Sequence, residues 1–72
     1  MEIFSQRLKE LRKAHNATQK QVAEAVHITE RHYQDCEYAK VSPTGNLLIA
    51  LANYFNVSLD YLVGRSDNPK MR

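Results

Sequence analysis

Apolar residues recur at helical spacing along most of the chain, and polar punctuation cuts the pattern into five segments. Phe4, Leu8 and Leu11 stand at i, i+4 and i+7, which predicts a helix over residues 3–15. Lys9, Lys13 and His15 place positive charge towards its C-terminus, where the helix dipole favours it. Asn16 follows, a residue that tolerates the left-handed conformation closing many helices. Thr18-Gln19-Lys20-Gln21 then matches a capping box, in which a threonine hydroxyl and a glutamine three residues on satisfy each other's backbone N–H groups. Val22, Ala23 and Val26 form the buried stripe of this second helix, with Ala23 small enough for another helix to cross closely. It must end near Val26, because Ile28-Thr29 opens the next segment and leaves His27 as the turn.

The third segment, residues 29–37, carries a divided surface. Thr29 stands where an N-cap is wanted. Tyr33, Cys36 and Glu37 share one side at i, i+3 and i+4, while Arg31 and Asp35 point the opposite way, flanked by His32 and Gln34. Such a polar face supports two readings. It is an ordinary solvated surface, or it is a face whose fork-shaped and amide donors read base edges in a major groove. The fourth segment follows Pro43, which suits the first turn of a helix because its missing N–H is an orphan there. Gly45 in that turn should weaken the start. Leu47, Leu48, Leu51, Ala52, Tyr54 and Phe55 make this helix apolar over much of its circumference, so it is central or sits in an interface. Asn56 can stop it. Ser58 caps a short fifth helix over residues 59–63, Asp60 lies in its first turn, and Gly64 ends it.

Strand-like alternation, internal repeats and low-complexity tracts are missing, so the expected fold is a compact all-α domain of five helices. About three residues separate helices two and three, the spacing of a helix-turn-helix. Residues 1–64 form the expected domain and residues 65–72 a polar tail, expected to be mobile.

Composition narrows the classes. Seventy-two residues make one domain, and a chain this size buries only about 60% of its unfolded surface. The single cysteine excludes an internal disulfide and fits a reducing compartment. No apolar run approaches the ~18–20 residues of a membrane span, and the first residues lack the basic and apolar stretches of a signal peptide. These features predict a soluble cytoplasmic protein. The net charge of +2 says little about partners, but its distribution says more: between Val41 and Gly64 the only charged residue is Asp60.

The order and spacing of four segments resemble the phage-repressor and Cro-like helix-turn-helix family, often called the xenobiotic-response-element type. They are Arg7-Leu8-Lys9-Glu10-Leu11-Arg12, Thr18-Gln19-Lys20-Gln21-Val22-Ala23, Tyr33-Gln34-Asp35-Cys36-Glu37 and Val57-Ser58-Leu59-Asp60-Tyr61-Leu62-Val63-Gly64. The resemblance runs from about Phe4 to Gly64 and implies a five-helix, lambda-repressor-like fold. It implies a double-stranded DNA partner and a role as a transcriptional regulator, most simply a repressor. Glu30, Arg31 and Asp35 match the positions from which the family reads bases, with Gln34 on the flank. Gln19 looks like the glutamine that hydrogen-bonds a phosphate, and Lys40 matches a phosphate-contacting lysine after the third helix. Thr18, Lys20, His32 and Tyr38 complete the expected phosphate contacts. Arg12 and Glu37 match a structural ion pair beneath the DNA surface. The family binding mode is a homodimer on a two-fold operator, with half-sites about 34 Å apart. Tyr54, Leu59, Tyr61, Leu62 and Val63, at the end of helix four and in helix five, serve either a dimer surface or the core.

Several positions depart from the family. His27 and Ala39 stand where glycine is common, and a left-handed non-glycine residue costs about 1–2 kcal/mol. Either turn is therefore open to differing in detail. Cys36 replaces a bulkier residue. The loop after Lys40 lacks an extra arginine that some relatives carry. Glu30 and Asp35 put two carboxylates on the reading face. Carboxylates accept from cytosine N4 but are repelled by phosphates, which predicts a selective protein with Arg31 as its guanine reader. The same acidity favours the rival class, a protein-binding module such as an antitoxin or adaptor that docks a basic partner. His32 and Cys36 have a spacing that can ligate a metal, but zinc wants three or four protein ligands and Cys36 falls on the inner face, so no metal or other cofactor is expected. No residues pair as nucleophile and base, so no catalytic site is expected.

Overall fold

The computed structural model describes residues 2–71 and builds five helices: α1 (Glu2–Ala14), α2 (Gln19–Ala25), α3 (Glu30–Glu37), α4 (Gly45–Phe55) and α5 (Leu59–Leu62). No strand occurs among the described residues. The all-α, five-helix expectation holds, with element bounds shifted by a residue or two. α2 packs on α3, α1 lies against both α3 and α5, and α4 packs on α5. The helical stripes converge on one core of Phe4, Leu8, Val22, Ala23, Tyr33, Cys36, Leu47, Leu51, Ala52, Phe55, Val57 and Leu62.

Four of the helices begin with a hydroxyl cap. Thr18, Thr29, Thr44 and Ser58 each accept from the backbone N–H three residues on, at Gln21, His32, Leu47 and Tyr61. The Thr18–Gln21 capping box is reciprocal, since the Thr18 N–H donates to Gln21 Oε1 at 2.9 Å. The expected start of helix four needs correction. Pro43 does not lie in its first turn; Thr44 is the N-cap and Gly45 the first helical residue. The Thr44 hydroxyl satisfies the Leu47 N–H at 3.2 Å, a service proline cannot provide.

All five helices end in the same way. Asn16, His27, Ala39, Asn56 and Gly64 adopt positive φ, between 54° and 88°. After each, a backbone N–H returns to the carbonyl five residues earlier: Ala17 to Arg12, Ile28 to Ala23, Lys40 to Asp35, Val57 to Ala52 and Arg65 to Asp60, at 2.8–3.1 Å. These bonds occupy carbonyls that a helix C-terminus would otherwise orphan. The turns at His27 and Ala39 therefore keep the geometry usual for glycine, and the side chains there carry the left-handed strain.

Residues 65–71, expected as a mobile tail, are tied back to the domain. The Ser58 N–H donates to Pro69 O at 2.9 Å, and the N–H groups of Arg65 and Ser66 both donate to Asp60 O. Among the described residues, no helix is long and apolar enough to cross a membrane.

Candidate nucleic-acid interface

α3 divides as its periodicity predicts. Tyr33 and Cys36 are fully buried and Glu37 nearly so, whereas Glu30, Arg31 and His32 are exposed and Gln34 and Asp35 half-buried. The short side chain of Ala23 on α2 is buried, as expected where α2 and α3 pack together.

What holds this helix in place is a buried acid at its end. Both oxygens of Glu37 are occupied. Oε2 accepts from Arg12 Nε at 2.6 Å and from the Tyr33 hydroxyl at 2.5 Å. Oε1 accepts from Gln19 Nε2 at 3.1 Å and from Arg12 Nη2 at 3.3 Å. Arg12 also donates through Nη1 to Ala17 O at 3.1 Å, so α1, the α1–α2 turn, α2 and α3 meet at one carboxylate. Burial pushes the Glu37 carboxyl up, but the donations from Arg12, Tyr33 and Gln19 outweigh it and hold it below the ordinary carboxylate range. The Glu37 hydrogen bond raises Arg12 against the opposing effect of burial. Burial, with Glu37 beside it, raises the Tyr33 phenol far above its usual value. The Cys36 thiol is likewise pushed up, by burial first and then by the neighbouring Asp35 and Glu37 charges. A thiol so placed is a core group with little thiolate character.

The Arg12–Glu37 pair is thus in place, and it draws in Gln19, one of the expected phosphate contacts. Gln19 spends one amide hydrogen on Glu37 and keeps the second. Thr18 accepts the Gln21 N–H through its hydroxyl oxygen, which leaves its O–H proton to donate elsewhere. Lys20, His32, Tyr38 and Lys40 are exposed. Of the expected base readers, Arg31 and Asp35 are brought together as an i, i+4 ion pair at 3.5 Å, while Glu30 precedes them in the first turn and Gln34 lies on the flank. His32 is exposed and Cys36 fully buried, so the two do not open onto a common metal position.

Two positions were missed by sequence reasoning. Ser5 is buried and donates its hydroxyl to Cys36 O at 2.6 Å, fastening α1 to the last turn of α3. Its signal was a small polar residue inside the Phe4–Leu8 stripe. Arg7 is the second. Its guanidinium donates to the Tyr61 carbonyl, to Ser66 O at 2.7 Å and to Asp67 Oδ1 at 2.9 Å, and lies 4.1 Å from the Tyr61 ring centroid. No local signal marks these partners, which lie 54–60 residues away. Among the apolar surface candidates, Leu62 is fully buried core and Tyr61 lies beneath Arg7, whereas Leu59 and Tyr54 are exposed.

A family model described as helix-turn-helix matches residues 8–62. The chain belongs to the helix-turn-helix family. The family membership inferred from the phage-repressor resemblance is thereby borne out. The chain is 39% identical over 67 residues to the HTH-type transcriptional regulator YobD of Bacillus subtilis (strain 168), covering 93% of this chain and 60% of that protein. It is 37% identical over 67 residues to the HTH-type transcriptional regulator ImmR of the same organism, covering 93% of this chain and 53% of that one. The chain thus spans 60% or less of these two relatives. Among solved structures it is similar to the P22 c2 repressor in complex with a synthetic operator, with TM-score 0.84 and 23% identity over 92% of this chain and all of that one. The solution structure of the P22 c2 DNA-binding domain gives TM-score 0.83 and 23% identity over 97% of this chain and 91% of that one. These likenesses establish the lambda-repressor-like fold.

Proposed function

We propose that this helix-turn-helix domain is a sequence-specific double-stranded DNA-binding module of a cytoplasmic transcriptional regulator, acting as a repressor and without enzymatic activity. The observation that carries the reading is the Glu37 network. It fastens the end of α3 to α1 and, through the same carboxylate, holds the side chain of Gln19 at the start of α2. A reading helix and a phosphate-contacting helix must keep one geometry to engage one duplex, and a shared buried acid does that. α3 enters the major groove, with Arg31 donating to guanine and Glu30, Gln34 and Asp35 facing neighbouring base edges. Thr18, Gln19, Lys20, His32, Tyr38 and Lys40 contact phosphates around it. The names of the relatives, transcriptional regulators and a repressor bound to operator, support the reading.

The domain measures 29 × 22 × 20 Å, shorter than the roughly 34 Å between half-sites one helical turn apart. One domain per half-site therefore fits a homodimer on a two-fold operator. The exposed side chains of Leu59 and Tyr54 and the half-buried Val63 supply its contact surface. Leu62 is excluded from that surface by complete burial.

Selection from a pool of random duplexes tests the reading. An enriched two-fold site with a guanine whose preference disappears in Arg31→Ala is the expected result. If Arg31→Ala enriches the same site with undiminished preference at every base pair, the assigned reader is wrong. The acidic residues Glu30 and Asp35 on the α3 face favour a second reading, a protein-binding module. Enrichment of no sequence at low salt, with retained binding to a basic protein partner, would select it.

A further inference from the structure

We infer that Asp35 is a positioning residue for Arg31, holding the guanidinium by its Nε side so that the outer Nη edge is presented to guanine. The inference rests on the DNA-binding reading above and assigns Asp35 a different role from direct contact with a base. Arg31 Nε lies 3.5 Å from Asp35 Oδ1, one turn further along α3. The two side chains differ sharply in exposure, at 80% for Arg31 and 23% for Asp35. The acid is the short, partly covered anchor, and the arginine is the projecting arm.

Guanidinium chemistry gives this arrangement its consequence. Guanine offers two acceptors, O6 and N7, to two parallel N–H groups on one edge of the fork. Asp35 Oδ1 approaches the guanidinium from its Nε side, and the far edge of the fork carries Nη1 and Nη2. An untethered arginine on the same helix has many rotamers and can reach phosphate oxygens as readily as bases. The carboxylate changes that balance. Its negative charge is repelled by phosphates, and swinging Arg31 away to the backbone leaves the acid unpaired at the duplex surface. Ion pairing on the domain follows the same division. Among the described residues the salt bridges are Arg7–Asp67, Arg12–Glu37 and Arg31–Asp35, so each involves an arginine. Lys20 and Lys40, assigned to phosphates, carry no such tether. Glu30 does not substitute for Asp35, because adjacent positions on a helix do not face one another.

The signature that separates this role from direct reading is a pair of effects of opposite sign. Asp35→Asn removes the tether and also removes a charge repelled by the backbone. Its affinity for a pooled random duplex rises, while its preference for guanine over the other bases at the Arg31 base pair falls roughly 2- to 10-fold. The measurement is a set of competition affinities for the selected half-site and its single-base-pair variants, made with the parent, Asp35→Asn, Asp35→Glu, Arg31→Ala and the double variant Arg31→Ala/Asp35→Asn. Asp35→Glu, which keeps the charge, restores part of the guanine preference. The double variant matches Arg31→Ala at that base pair, because a positioning residue has nothing left to position. Additive effects of the two substitutions, or a loss of preference at a different base pair that carries a cytosine, overturn the assignment and make Asp35 a reader in its own right. If the parent enriches no sequence from random duplexes, the DNA-binding reading fails and the assignment with it. A specific parent with additive variants sinks the assignment alone.

Discussion

Gln19, the first residue of α2, donates its side-chain amide across 3.1 Å to the carboxylate of Glu37, the last residue of α3. The contact joins the helix proposed to grip the backbone to the helix proposed to read the bases. Arg12 and Tyr33 complete the same site, so one acid sets the relative placement of three helices. Removing it strands a mostly buried guanidinium. Glu37→Ala should cost ~3–5 kcal/mol. A domain of this length has only about 4–11 kcal/mol in total, so urea unfolding should show the variant marginally folded. The replacement Arg12→Met/Tyr33→Phe/Glu37→Leu should recover much of the loss, because neither a charge nor the buried Tyr33 hydroxyl is then left unmatched. It should not restore the Gln19–Glu37 hydrogen bond that holds the proposed phosphate contact in place.

The same network dictates the response to pH. The Glu37 carboxyl is held below its ordinary value in the folded protein. Its contribution is therefore present above the unfolded carboxylate pKa of ~4.3 and is lost as pH falls through the lower folded value. Tyr33 is raised in the folded protein. Its contribution is complete below the unfolded phenol pKa of ~10 and is lost progressively as pH rises beyond it. Thermal unfolding from pH 2 to 11 should show both limbs. Glu37→Gln should flatten the acid limb and Tyr33→Phe the alkaline one, each with a lower plateau between them.

Positive φ at non-glycine residues gives a prediction of opposite direction. Ala39 and His27 sit at φ 59° and 62°, where glycine carries no steric penalty. Ala39→Gly and His27→Gly should each stabilise the domain by about 0.5–1 kcal/mol, the relief of left-handed strain less the extra freedom of glycine in the unfolded chain. Gly64 is the control. A Cβ there would approach Ile3 Cγ2 to 2.7 Å at a φ of 88°, so Gly64→Ala should destabilise. Chemical denaturation of the three variants checks the set.

Arg7 couples α1 to the end of α5 and to the segment after it. Arg7→Ala should raise amide exchange at Ser66 and Ser58, whose backbone groups lie in or beside the clasp, while the amides of α2 and α3 stay protected. Arg7→Lys should restore little of the protection, since a point charge cannot span three acceptors as a planar guanidinium does.

These positions mark what was legible in the sequence. Local chemistry read well: the Thr18–Gln21 box, the inward set Tyr33, Cys36 and Glu37, and the left-handed residues Asn16, Asn56 and Gly64 all follow from neighbours within one turn. The Arg12–Glu37 pair came from the family pattern alone, because nothing local marks a partner 25 residues away. The expected start of α4 rested on Pro43 and overlooked Thr44, although the threonine hydroxyl satisfies an N–H that proline cannot. Arg7 carried no local sign of its role, since Tyr61, Ser66 and Asp67 reach it only through the packing of α1 on α5. The polar face of α3 was visible as a pattern, but the approach of Arg31 to Asp35 required coordinates.

The proposed function requires the α3 face and its surrounding donors to engage duplex DNA. The most direct measurement is the affinity of the domain for a pooled random duplex against its selected site over about 50–200 mM salt. Affinity for both should fall steeply as salt rises, with Lys40→Ala lowering the slope of log K against log salt by about 1 on either duplex. No binding at the lowest salt, or an affinity indifferent to salt and to Lys40, would contradict it.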